Sequence, residues 1–174
     1  MNEGTDAPVR RRRWWAWALA GAVGVVAGGT AVYAANREDP APAAVTGSDG
    51  PFAVTVTSAR CGLKEVGPEG LQQHAKGQYC LVGVDVRNTG TEPALLDGGA
   101  QEVVDSAGAR HGLADQASVF LNDGSPSLLD EMAPGSTVTG ILPFDIPAGA
   151  SLSALVVHGS MGSRGTSVPL SFRK

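Results

Sequence analysis

The chain has 174 residues, 43% of them hydrophobic, with 24 glycines, 11 prolines and a formal net charge of −4 at pH 7. That length suits one ordinary domain with extensions. Charge is uneven: residues 1–13 hold four arginines against Glu3 and Asp6, a net +2, whereas residues 36–174 hold 9 basic and 15 acidic side chains, a net −6. An acidic globular part argues against nucleic acid as a partner, because affinity for phosphate comes from clustered Lys and Arg.

The basic run Arg10 to Arg13 is followed at once by Trp14 to Ala35, about 22 residues without a charged side chain. At ~1.5 Å per residue a helix of that length matches the ~30 Å bilayer core. The tail 1–13 is therefore expected in the cytoplasm, 14–35 as a transmembrane helix or signal-anchor, and everything beyond outside. Trp14, Trp15 and Trp17 mark one interface and Tyr33 the other. The alternative is a cleaved signal peptide, because Val32-Tyr33-Ala34 offers small residues at protease spacing. In that case the remainder is secreted. Gly24 and Gly28 form a G-x-x-x-G of the kind that lets membrane helices approach. The Ala/Gly-rich composition accounts for that spacing equally well.

Residues 36–51 are dominated by Pro, Ala, Gly, Ser and Asp without helical or strand period, and are expected as a flexible linker. The folded domain is then expected over 52–174. Phe52, Val54 and Val56 alternate with Ala53, Thr55 and Thr57 as in a half-buried strand. Leu63 to Lys76, with Gly67-Pro68 and Gly70, reads as a long connection. The pattern then sharpens at G-Q-Y-C-L-V-G-V-D-V-R-N-T-G, Gly77 to Gly90. Cys80, Val82, Val84 and Val86 share one face of a central strand, which Asn88-Thr89-Gly90 ends with turn chemistry.

Further strands are expected at Ala94–Leu96, at 101–104 paired with 109–113 across the turn Asp105 to Gly108, and at 138–146, 152–157 and 166–172. Pro169 marks the last as an edge strand. Residues 114–134 are expected to be irregular. About eight short strands with Gly, Pro and Asn turns, and no helix after the apolar segment, predict an all-β sandwich or barrel.

The Gly77–Gly90 strand, the turn D-S-A-G, and L-D-E-M-A-P-G-S-T-V-T-G-I-L-P-F-D-I-P from Leu129 to Pro147 together resemble a bacterial family of secreted or membrane-tethered domains of unknown function. The resemblance covers Phe52 to Phe172. It implies the fold of the immunoprotective extracellular antigen, an immunoglobulin-like β-sandwich. The family brings no catalytic residues, so none are carried over.

Chemistry is sparse. His74, His111 and His158 lack partners at metal-ligand spacing. Asn122-Asp123-Gly124-Ser125 and Asp130-Glu131 lack the acidic alternation of a calcium loop. No serine sits in a nucleophile elbow. The expectation is a non-enzymatic, membrane-anchored interaction module of the bacterial envelope, with no cofactor or metal and an envelope protein or ligand as partner. The rivals are a small-ligand or metal carrier with a pocket at the sandwich end, and a hydrolase built from loops. Two local expectations follow. Cys61 and Cys80, the only cysteines and both in the exported part, form a disulfide rather than two buried thiols. Asn122, Asp123, Ser125 and Ser127 form a polar tip between Phe120-Leu121 and Leu128-Leu129 that presents hydrogen-bonding groups to a partner; the alternative is a loop that merely caps the sandwich.

Overall fold

The computed structural model describes residues 44–124 and 127–170. The basic tail, the apolar segment 14–35 and the first half of the expected linker lie outside these residues, as do Ser125, Pro126 and residues 171–174. Among the described residues no helix is long and apolar enough to cross a membrane.

The strands are β1 (Val45–Asp49), β2 (Phe52–Val66), β3 (Gln73–Asn88), β4 (Glu102–Asp105), β5 (Arg110–Gly112), β6 (Thr137–Ile146), β7 (Leu152–Val157) and β8 (Thr166–Pro169). A short helix, α1 (Asp115–Leu121), lies between β5 and β6. They form two four-stranded antiparallel sheets, ordered β1-β2-β3-β6 and β5-β4-β7-β8. Phe52, Val54, Val56, Val82, Val84, Val86, Val138, Leu142, Phe144 and Ile146 of the first sheet share one buried cluster with Val103, Leu152, Leu155, Val157 and Val168 of the second. The protein is thus a β-sandwich, whose period-2 alternation places one apolar set of each sheet inside.

Several elements differ from the sequence expectation, each for a local reason. β1 lies inside the stretch 36–51 expected as linker. Its sequence V-T-G-S-D has one aliphatic side chain, so no alternation reveals it. It forms because Gly50, at φ +58°, makes a tight turn with Pro51 that folds Asp49 back onto Phe52. Gly47 then lets β1 approach the other sheet: a Cβ there would stand 2.4 Å from Val168 Cγ2. The expected connection 63–76 is instead the distal half of a long hairpin, with β2 running to Val66 and β3 starting at Gln73. The expected strand Ala94–Leu96 reduces to one bridge, Ala94 to Met132. The last strand is β8, Thr166–Pro169, and Pro169 does sit on a sheet edge.

The irregular stretch from 114 contains α1, which the sequence did not suggest. Seven residues are too few to show a helical period or to be stable alone. Packing holds it: Ala117 is buried against Val66, Tyr79 and Leu81 on the outer face of the first sheet, with Leu63, Ala114, Leu121 and Ile141 around it. As a result β3 is buried on both faces from Tyr79 to Val84, rather than on one.

Both lateral sides of the sandwich are bridged. On one, the Thr166 hydroxyl donates to Ser48 O at 2.7 Å, and Gly159 N–H donates to Asp49 Oδ2 at 2.8 Å. On the other, Ala114 N–H donates to Pro143 O at 2.8 Å, next to a bridge between Leu113 and Phe144.

Candidate functional site

Cys61 and Cys80 are joined in a disulfide, with Cα atoms 4.0 Å apart. The local cause is a bulge. Arg60 opposes Leu81 and Leu63 opposes Tyr79, so Cys61 and Gly62 together face the single residue Cys80. Gly62 takes φ +98°, a region that glycine tolerates without a Cβ clash. Cys80 is fully buried while Cys61 is exposed, so the bond ties an outer bulge to the core strand.

Two residues of the predicted polar tip, Asn122 and Ser127, are buried rather than exposed. Asn122 is 7% exposed and turns inward. Its Nδ2 donates to Ser118 O (2.9 Å) and Ile141 O (2.8 Å), and its Oδ1 accepts from Ile141 N–H (2.9 Å). It therefore fastens the end of α1 to β6. Ser127 is also 7% exposed; its hydroxyl accepts from Leu129 N–H, and its own N–H donates to Asp130 Oδ2 at 2.9 Å. Asp123 is exposed, and Ser125 lies outside the described residues. For Asn122 and Ser127 the expected exposure is corrected: both are fold ties, as the capping alternative has it. Hydrogen-bonding side chains flanked by apolar pairs are as suited to anchoring a loop as to display, and sequence does not separate the two.

Among the described residues no three His, Cys, Asp or Glu side chains come together as metal ligands. Two polar clusters do form. At the β4–β5 turn, Asp105 Oδ1 accepts from the N–H groups of Ala107 and Ala109, each at 2.9 Å, and Oδ2 meets His111 Nε2 at 2.9 Å. The His111 hydrogen bond, then those backbone N–H groups, hold the Asp105 carboxyl below the usual carboxylate range.

The second cluster gathers residues from across the chain at the end of β7. His158 Nδ1 lies 3.2 Å from Ser163 Oγ, and Nε2 lies 3.8 Å from Glu102 Oε2, which also binds Arg110 Nη1 at 2.6 Å. Asp49 joins from β1. The Ser163 hydroxyl, then the Gly159 N–H, then positive charge on His158 hold its carboxyl below its ordinary value. Serine, histidine and carboxylate are the residue types of a hydrolytic triad. The geometry differs, because 3.8 Å is too long for the hydrogen bond that orients a general base. No sequence signal marks this cluster. Asp49, Glu102, His158 and Ser163 are contributed by β1, β4 and the end of β7, and only the sheet topology brings them together.

No curated protein matches the sequence. Among solved structures, a secreted protein from Mycobacterium tuberculosis, MPT63, is similar with a TM-score of 0.47 and 14% identity, over 69% of this chain and 87% of that one. A conserved hypothetical protein from Bacillus anthracis is similar with a TM-score of 0.47 and 16% identity, over 71% and 91% of the two chains. Residues 45–168 match the model of a domain of unknown function, DUF4352. That span begins with β1 and ends within β8, well over half of the chain and nearly all of both sheets, and the chain belongs to the DUF4352 family.

Proposed function

We propose that the chain is a non-enzymatic interaction module of the bacterial envelope, held at the membrane by residues 14–35 and displaying an immunoglobulin-like sandwich on the outer side. The observation that carries this reading is the Cys61–Cys80 disulfide. Such bonds form and persist in oxidising compartments and are rare in the cytosol. The four arginines before the uncharged apolar stretch support the same orientation. The immunoglobulin-like description is architectural: the chain crosses between the sheets at β3–β4, β5–β6 and β6–β7. The disulfide joins neighbouring strands of one sheet, unlike the bond between sheets in antibody domains.

Interaction is favoured by the free end of the β2–β3 hairpin and the helix beside it. Phe120 packs at Gly67, while Leu71 is 59% exposed and Val119 is 55% exposed. Leucine and valine side chains held this far open on a braced element cost hydration unless a partner covers them.

Two measurements on the full chain in its bacterial host test this. Protease added to intact cells should remove a C-terminal tag, and unreduced protein should give no titratable thiol. A tag protected in spheroplasts, or two free thiols, would sink the extracytoplasmic reading. Crosslinking in cells should recover a partner that a Leu71→Ser, Val119→Ser variant loses. Equal recovery by the variant and the wild type would sink the interaction reading at this surface.

A further inference from the structure

Asp123, the exposed residue of the predicted tip, carries chemistry of its own. A backbone nitrogen attacks the preceding aspartate side chain most easily when its own residue is small. Aspartate is followed by glycine or serine at four places: Asp49-Gly50, Asp97-Gly98, Asp105-Ser106 and Asp123-Gly124. The reaction requires the aspartate Cγ to swing onto that nitrogen. A pair whose carboxylate, backbone or attacking N–H is held by hydrogen bonds reacts only from a locally opened state.

The fold restrains the first three pairs. Asp49 is paired with Phe52 across the turn, and its Oδ2 accepts from Gly159 N–H at 2.8 Å. Asp97 opens a 3-10 turn, Gly98–Ala100, and its carbonyl accepts from Ala100 N–H at 3.2 Å and from Nε2 of the buried Gln101 at 2.8 Å. At Asp105 both reacting groups are occupied. Its Oδ1 accepts from Ala107 and Ala109 N–H, and the Ser106 N–H that would attack donates to Ser151 O at 2.8 Å. Asp123 differs. It lies beyond α1 in neither helix nor strand, and both it and Gly124 are exposed. A Cβ built on Gly124 meets nothing within 4 Å, so the space beside the attacking nitrogen is open.

We propose that Asp123 is a site of spontaneous isomerisation to isoaspartate. Gly124 N attacks Cγ of the Asp123 carboxyl in its acid form. An N–Cγ bond forms, and the carboxyl hydroxyl leaves as water with the amide proton. The cyclic succinimide then takes up one water. Breaking the bond from Gly124 N to Cγ returns aspartate. Breaking the bond from Gly124 N to the main-chain carbonyl carbon gives isoaspartate, with the chain running through the former side chain. Mass is unchanged, and water is the only co-reactant. The extra backbone atom enters between two anchored points, the Asn122 bonds to β6 and the Ser127 N–H bond to Asp130.

The full chain aged at neutral pH in oxygen-18 water tests this, with each aspartate mapped by proteolysis and mass spectrometry. Each passage through the succinimide leaves one oxygen-18 atom on the residue. Asp123 should gain the label, and isoaspartate, about tenfold or more faster than Asp49, Asp97 and Asp105, the factor that ~1.4 kcal/mol of local opening imposes. Gly124→Ala, which the open space accommodates, should slow labelling of Asp123 by crowding the attacking nitrogen. In urea the other three sites should approach the Asp123 rate. Labelling of Asp123 no faster than at the other three in the folded chain would overturn the assignment. So would an Asp123 that labels in urea but not in the folded chain, or one whose labelling Gly124→Ala leaves unchanged.

Discussion

Asn88 shows how much one polar side chain does here. Completely buried, it donates from Nδ2 to Glu92 O (2.8 Å) and Met132 O (2.9 Å), and accepts at Oδ1 from Gly90 N–H (2.9 Å). Asn88→Ala removes all three bonds and leaves Glu92 O and Gly90 N–H without their partner, while Met132 O keeps the Ala94 N–H; at about 1 kcal/mol per bond the loss should be on the order of 2–3 kcal/mol in denaturant melts. Asn122→Ala removes the equivalent ties between α1 and β6 and should also destabilise, whereas Asp123→Ala, at an exposed position, should stay within about 0.5 kcal/mol of wild type. If both were silent, the inward orientation of Asn122 would be wrong. At the acid end, Asp49 and Asp105 both titrate below their ordinary value. The unfolded chain therefore takes up protons first as pH falls. Their contribution is complete above the usual carboxylate range and is lost on acidification through it. Asp105→Asn should flatten the decline in thermal midpoint below about pH 5.

At the scale of elements, the hairpin and its bond make a separable unit. Closing a loop of separation 19 should contribute about 3 kcal/mol in the chain-entropy model. Reduction, or Cys80→Ser, should therefore lower the melting point by roughly 10 °C for a domain of this size. The helix has its own reporter. Burial, and then the charge of Asp145, push the Tyr79 phenol above its ordinary value, so the folded state favours the neutral form and loses stability as pH rises through that raised value. Ala117→Asp places a carboxylate under α1. It should lift the helix from Tyr79, and an absorbance titration should then show that phenol ionising nearer its ordinary pH.

The legibility of these elements in the sequence follows their physics. Strands β2, β3 and β6 announce themselves because each buries an alternating set, from Phe52-Val54-Val56 to Phe144-Ile146, and β7 by its apolar run Leu155-Val156-Val157. The disulfide was legible from compartment and count. β1 and α1 were not, because neither depends on its own pattern: Gly47 is chosen for its missing side chain, and Ala117 for a fit that only Tyr79 and Leu81 explain. The His158 cluster was least legible, because it exists only once the two sheets are stacked.

For the whole molecule, the bridged sides matter more than any single residue. Unpaired strand edges are templates for association, and here β1 meets β8 and β6 meets the end of β5. The edge of β2 beyond Val56 is the exception, and it is broken by register shifts after Val56, Arg60 and Leu63, with Lys64 among its residues. Those are recognised defences against pairing. Gly47→Val should force β1 away from Val168, speed exchange of the β1 amides and increase self-association measured by sedimentation. A monomer with unchanged β1 protection would show that this contact is dispensable.

The contact between Gly47 and Val168 also fixes where the chain enters and leaves the domain. β1 opens two residues before that glycine, and β8 ends one residue after that valine, so the start and finish of the fold are neighbours. The order in which the strands are strung is then separable from their arrangement. A short glycine-rich link from Leu170 to Val45, with new ends opened in the exposed turn at Ala107-Gly108, should give a circular permutant that keeps both sheets and the disulfide. In such a chain the former entrance becomes an interior hairpin. Anything fused to the new ends would then sit at the β4–β5 turn and no longer beside β1.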